Sequence, residues 1–226
     1  MSEGHLLSAI ANAVGGRLRG SDRRITGLSI DTRQPFSPED TLFIALAGKH
    51  HDGHAYIPEL KERGVRAFLV QSGTMEADDG MGVIEVADTL LALQAMAAWH
   101  RAQFSLPVVG ITGSNGKTVV KEWLYQLLRE AEHIVRSPGS WNSQVGVPLS
   151  VWEMNDTHTL GLFEAGISEP GEMSALATII APTLGIFTNI GPAHSRNFTS
   201  DKAKAEEKAK LFAHADAVVC CRYHQV

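Results

Sequence analysis

The segment Val108-Val109-Gly110-Ile111-Thr112-Gly113-Ser114-Asn115-Gly116-Lys117-Thr118 concentrates glycines, a lysine and a threonine between an apolar strand and a helical stretch from Val119 to Arg129. Glycines at 110, 113 and 116 let the backbone turn where other residues cannot, and they aim successive N–H groups into one concavity that suits a phosphate chain. Lys117 adds a point charge for the outer phosphates, and the Thr118 hydroxyl is placed to coordinate Mg²⁺. The helix behind them turns its positive N-terminal dipole towards the same anion. The usual phosphate-loop pattern G-x-x-x-x-G-K-[ST] asks for glycine at 111, where this chain has isoleucine. A bare strand-to-helix turn is the competing reading. The order strand, loop, lysine, threonine, helix favours nucleotide binding through Gly113, Ser114, Asn115, Gly116, Lys117 and Thr118.

Three further side chains could join this chemistry. Glu164 ends the apolar run Leu162-Phe163-Glu164, so its carboxylate is expected at the same sheet edge, where it could complete a Mg²⁺ shell begun by Thr118 and phosphate oxygens. His194 follows the strand ending at Phe187, although a lone loop histidine is more often structural. Lys202, Lys204, Lys208 and Lys210 look like a solvated charge run. Periodicity separates them: Glu206 and Lys210 make an exposed i,i+4 pair, whereas Lys208 shares a stripe with Ala205, Leu211 and Phe212 and points inward. An inward lysine needs a partner or a neutral form. The run His50-His51-Asp52-Gly53-His54 resembles a metal cluster, but it lacks a fourth ligand and reads as a polar loop.

These residues need a scaffold that brings strand ends together. Apolar strands are expected at Leu28 to Ile30, Leu42 to Leu46, Val65 to Val70 and Val83 to Val86, with helices from Glu3 to Ala13, from His54 to Arg63 and, capped by Asp88, from Thr89 to about Phe104. A second block, starting near Ser105-Leu106-Pro107, repeats strand then helix: Val108 to Ile111 and 119–131, Leu160 to Glu164 and Glu172 to Ile180, Leu184 to Phe187 and Asp201 to Ala213, with a last strand from Ala217 to Cys221. Alternation of this kind predicts an α/β fold with a parallel sheet, helices on both faces, and ligands at the carboxyl ends of the strands.

Bulk properties narrow the partners. A net charge of −5 without long basic runs leaves no electrostatic footprint for nucleic acid. No stretch reaches the length of a membrane span, and Glu3 stands where a secretory signal would be basic. The adjacent Cys220 and Cys221 sit closer than a normal disulfide separation, so both are expected to be reduced, buried strand residues of a cytoplasmic protein.

The short loop T-G-S-N-G-K-T resembles that of the Mur ligases, ATP-dependent amide-forming enzymes of peptidoglycan precursor synthesis. Glu164-Ala165-Gly166-Ile167-Ser168-Glu169-Pro170-Gly171-Glu172-Met173, with Thr188-Asn189-Ile190 and Ala193-His194, is most similar to the branch that joins D-alanyl-D-alanine to UDP-N-acetylmuramoyl-tripeptide. Asp31-Thr32-Arg33, Leu42 to Gly48 and Asp52-Gly53-His54 are similar to the part that holds the UDP end of that substrate. The resemblance therefore implies a small N-terminal α/β UDP-binding domain over 1–106 and a partial ATPase domain over 107–226, with ATP and Mg²⁺ as cofactors. It places substrate contacts at Ser29, Asp31, Thr32, Arg33, Asp52, Gly53, His54 and Asn142. It places metal contacts at Thr118, Glu164, His194 and Lys208, with Lys208 carbamylated by CO₂ into a hard oxygen anion. Catalytic roles fall on Lys117, Glu164, His194 and Lys208.

Ser140-Trp141-Asn142-Ser143-Gln144 departs from the family's paired asparagines, so Asn142 carries over and Ser143 does not. The chain also lacks the family's third domain, which implies a fragment with little turnover by itself; some relatives of the whole enzyme are fused to an alanine racemase. The implied chemistry is phosphorylation of the tripeptide's terminal carboxylate, then attack on the acyl phosphate by the amine of D-alanyl-D-alanine. Two rivals remain: a related Mur or folylpolyglutamate-type amide ligase, and a nucleotide-binding module that never catalyses.

Overall fold

A computed structural model describes residues 4–33, 36–48, 52–191 and 197–221. The chain divides between Met96 and Ala97 into two compact units.

In the first unit a five-stranded sheet runs in the order β2-β7-β6-β5-β4, where β2 is Arg17–Gly20, β4 Gly27–Ser29, β5 Thr41–Ile44, β6 Ala67–Gln71 and β7 Gly82–Val86. Strands β4 to β7 are parallel and β2 joins antiparallel at the edge. The inner strands are apolar on both faces, as a covered parallel sheet requires. β2 breaks that rule: Arg-Leu-Arg-Gly at a half-covered edge carries no alternation from which the sequence would reveal it. Helix α1 spans Leu7–Val14 and buries Leu7, Ile10 and Ala11. It starts later than Glu3, because His5–Leu6 forms a short strand, β1, paired with β3 at Arg24–Ile25. The stretch expected as one helix from His54 is a 3-10 turn, Gly53–Tyr56, followed by α2, Ile57–Glu62.

Helix α3, Thr89–Arg101, begins under two hydrogen bonds from the amides of Leu90 and Leu91 to Asp88 Oδ1. Its last turn belongs to the second unit. Ala97 lies in that unit's core, and the Arg101 guanidinium donates to the carbonyls of Ile180, Ala181 and Phe104.

The second unit is a five-stranded, fully parallel sheet ordered β12-β11-β8-β10-β9: Ala217–Cys220, Leu184–Phe187, Val108–Thr112, Leu160–Glu164 and Ile134–Arg136. Helices α4 (Lys117–Leu128), α5 (Gly146–Trp152), α6 (Glu172–Ile180) and α7 (Asp201–Ala209) connect or cover the strands. The chain leaves β8 towards one side of the sheet and returns to build on the other, so β8 stands between β10 and β11. The loops after all three strands meet at one edge, which is where doubly wound sheets place ligands. Phe163, Leu162, Ile111 and Val108, fully buried, fill the two faces beneath that edge.

Two expectations fail here. Cys220 and Cys221 are exposed rather than buried, since among the described residues β12 pairs on one side only and both of its faces are open. Lys210 pairs with Glu207 at 2.5 Å instead of Glu206, because a 3-10 turn begins at Lys210 and brings residues three apart into line.

Candidate functional site

Ile111 is a buried residue of β8, paired with Glu164 on one side and Ile186 on the other. The strand thus continues through the position where longer phosphate loops begin, and the loop proper shrinks to 113–116. Gly113 has φ +142°, and a Cβ there would lie 2.0 Å from Thr188 Oγ1, so only glycine lets the loop press against the end of β11. Thr188 Oγ1 donates to Asn115 O at 2.6 Å, while Ser114 N and Asn115 N donate to Asn189 O and Oδ1 at 2.8 and 3.1 Å. Asn189 therefore occupies two amides that the glycine pattern assigned to phosphate. The start of α4 leaves the N–H groups of Gly116, Lys117 and Thr118 without helical partners, and no side chain caps them. Lys117 Nζ folds back to Gly113 O at 2.9 Å. Burial pushes its pKa down, against the attraction of Glu164.

Glu164 is fully buried at the end of β10. Its Oε2 accepts from Thr118 Oγ1 at 3.1 Å and from Asn142 Nδ2 at 3.3 Å. Its Oε1 has no hydrogen-bond partner, although Lys121 Nζ stands 3.0 Å away. A buried carboxylate beside a threonine hydroxyl is a set of oxygens that a hard divalent cation can take up. Ser143, by contrast, serves α5: its hydroxyl accepts from Gly146 N.

Lys208 is buried on α7 and lines a cavity of about 350 Å³ together with Lys117, Asn142, Gln144, Ser168 and Glu172. Among the described residues it has no ion-pair or hydrogen-bond partner. Burial, then the positive charges of Lys117 and Lys204, lowers its pKa to about 8. The helix that carries it is clamped by Glu207, whose Oε1 accepts from Gly171 N and Met173 N at the start of α6. Burial pushes the Glu207 carboxyl up, but Lys210 and these amides outweigh it and the net shift is downward. Lys204 is also buried: it pairs with Asp201 at 2.8 Å and donates to Gly191 O, so it is no part of a solvated charge run. His194 lies outside the described residues.

In the first unit, Ser29 to Arg33 and Asp52 to His54 follow the neighbouring parallel strands β4 and β5 and so share one sheet edge. Ser29 Oγ donates to Asp31 O at 3.0 Å, and Arg63 donates to Thr32 O. The exposed Arg33 binds Asp31 through Nε and Nη2, which holds the Asp31 carboxyl down at about 2. Gly53 passes so close to β5 that a Cβ would lie 2.9 Å from Ala45 Cα. Gln71 N donates to His54 Nε2, so Nδ1 carries the proton and donates to Asp52 Oδ1 at 2.6 Å. His54 thereby ties this loop to β6.

Residues 24–101 match the model for the Mur ligase family catalytic domain, and 111–221 match the Mur ligase middle domain. The chain belongs to the Mur ligase family. Curated relatives of this Mur ligase chain include the UDP-N-acetylmuramoyl-tripeptide–D-alanyl-D-alanine ligases of Treponema pallidum, 38% identical over 84% of the chain and 43% of the relative, and Bacillus subtilis, 33% identical over 83% and 40%. Among solved structures, MurF from Acinetobacter baumannii superposes with TM-score 0.89 at 26% identity, over 99% of the chain and 50% of its own. MurF from Thermotoga maritima in complex with ADP gives 0.75 at 29%, over 86% and 45%. The Mur ligase chain thus spans half or less of these relatives' length. Among its described residues no helix is long and apolar enough to cross a membrane.

Sequence reasoning about this Mur ligase chain missed Asn189 and Lys121. Asn189 stood in the Thr188-Asn189-Ile190 segment of the resemblance, without a role of its own. Lys121 did: it falls at helical spacing with Leu124 and Leu128 on the face of α4 that packs on the sheet, where a lysine calls for an explanation.

Proposed function

We propose that this chain is the substrate-binding and ATP-binding part of an amide ligase that adds D-alanyl-D-alanine to UDP-N-acetylmuramoyl-tripeptide in the cytoplasm. Residues 1–106 take the UDP end of the substrate, and 107–226 take ATP. The observation that carries this reading is the convergence of Lys117, Thr118, Glu164 and Lys208 around one sheet edge, with Lys117 and Lys208 lining the same cavity. The relatives' printed activity and the ADP complex of a similar fold support it.

Thr118 and Glu164 would hold Mg²⁺, with Lys208, once carbamylated, and His194 as partners for a second ion. When bound, Mg²⁺ neutralises phosphate charge and polarises the transferred phosphoryl group. The chain's own residues supply placement. The amides of Gly116 to Thr118 receive the anion, and Lys117 exchanges Gly113 O for a phosphate oxygen. Asn189 keeps the loop in shape. Asp31 presets Arg33, exposed at its edge, for the pyrophosphate of the UDP moiety.

Calorimetry tests both halves. The chain should bind ADP with Mg²⁺, and Lys117→Ala should weaken that binding about 10–100-fold, as loss of a charge-assisted bond to phosphate predicts. Arg33→Ala should weaken UDP-N-acetylmuramoyl-tripeptide instead. The non-catalytic module predicts that Glu164→Ala and Lys208→Ala leave Mg²⁺-dependent ADP binding unchanged; that result would refute the ligase reading.

A further inference from the structure

Lys121 takes no part in the chemistry described so far, yet it is among the most deeply enclosed charges of the second unit. It is 0% exposed, one turn beyond Thr118 on α4. Its ammonium donates to Ser137 O at 2.7 Å and to Gly139 O, and it stands 3.0 Å from Glu164 Oε1. Glu122 Oε1 is also within 3.3 Å, but that carboxylate is already bound by Arg136. Lys121 is thus committed to Glu164 as counter-ion and to the turn after β9 as an anchor.

That turn matters for the same carboxylate. Ser137 Oγ accepts from Glu164 N at 3.3 Å, and further along the turn Asn142 reaches Glu164 Oε2. A buried ammonium therefore fixes the acid from one side and, through Ser137 and Gly139, the segment that holds it from the other. A carboxylate buried without a counter-ion is costly and would move towards water. Lys121 prevents that movement before any cation arrives.

We propose that Lys121 is a positioning residue for the metal-binding carboxylate: it holds Glu164 in place and aimed at the Thr118 side of the phosphate loop, so that the gain in nucleotide affinity from Mg²⁺ depends on it. This rests on the nucleotide reading above. The measured quantity is the Mg²⁺ gain, the ratio of ADP dissociation constants in chelator and in Mg²⁺. Lys121→Met keeps the length of the side chain and removes its charge, and should shrink the gain about 10–100-fold, the range seen when outer partners of metal ligands are removed. ADP affinity in chelator should change far less.

A double-mutant cycle separates this role from packing. In a Glu164→Gln background, adding Lys121→Met should alter the gain by less than about twofold, because the group through which it acts is gone. An equal loss in both backgrounds, or an unchanged gain in Lys121→Met alone, overturns the proposal. Should Lys121→Met fail to fold, the Lys121→Met/Glu164→Gln double, which removes both buried charges, should fold and match Glu164→Gln; a double that does not fold would show that Lys121 serves packing and sink the idea. A parent that binds ADP without any Mg²⁺ gain overturns the positioning role while sparing nucleotide binding, and a parent that binds no ADP removes the nucleotide reading and this inference with it.

Discussion

At the scale of single residues, Lys208 is set apart by its solitude. Its pKa of about 8, against an ordinary 10.5, follows from burial first and from Lys117 and Lys204 second. The sign is clear: between about 8 and 10.5 the unfolded chain binds the proton that the folded chain has lost, so this group's penalty fades and stability rises as pH increases through that window. Lys208→Met should flatten that rise in a urea-unfolding series. The same shift leaves about half the amine neutral near pH 8, and the neutral amine is the nucleophile that attacks CO₂, losing a proton to give the carbamate. Incubation with ¹³C-bicarbonate should give a carbamate resonance that strengthens as pH approaches 8. Its survival in Lys208→Arg would show that another amine carries the carbamate.

At the scale of elements, the phosphate loop is held by a neighbour rather than by itself. Asn189→Ala removes one of two bonds directly, the side-chain bond to Asn115 N, and loosens the strand-end turn that makes the other. At about 1 kcal/mol for each bond, ADP affinity should fall about 5–30-fold, and amide exchange at Ser114 and Asn115 should speed up. Unchanged exchange would mean that the loop stands without β11.

Elements were legible where pattern and environment agree. Leu160–Glu164, Glu172–Ile180 and Leu184–Phe187 read directly, because continuous apolar runs or helical stripes can be buried in one way only. The segments β9 and α5 did not. Ile134–Arg136 is three residues long and ends in a charge. Gly146–Trp152 opens with glycine and carries Pro148, both breakers by composition, yet proline is tolerated in a first turn whose N–H groups lack partners anyway. Of the side chains that converge on the sheet edge, Lys117, Thr118, Glu164 and Lys208 were legible from type and spacing. Asn189 acts through tertiary contacts that no local pattern encodes, the inward spacing of Lys121 does not name its partners, and His54 bonds Asp52 and Gln71.

At the scale of the whole molecule, each unit carries its own core, and the tryptophans at 99, 123, 141 and 152 all fall in the second. Tryptophan fluorescence therefore reports on the second unit alone. Phe163 is fully buried in that unit's central sheet, and Phe163→Ala should cost about 3–5 kcal/mol, read as a lower urea midpoint by fluorescence. A midpoint that stays put would mean that β10 is not part of the cooperative core.

The outer strand Ala217–Cys220 has a consequence at the bench. It offers one row of backbone donors and acceptors with no neighbour among the described residues, flanked by Val218, Val219 and two thiols in contact with solvent. Such a border is a template for zipping onto another copy. Concentrated stocks will gel or cross-link from this rim first, and reductant with dilute handling keeps the molecules apart.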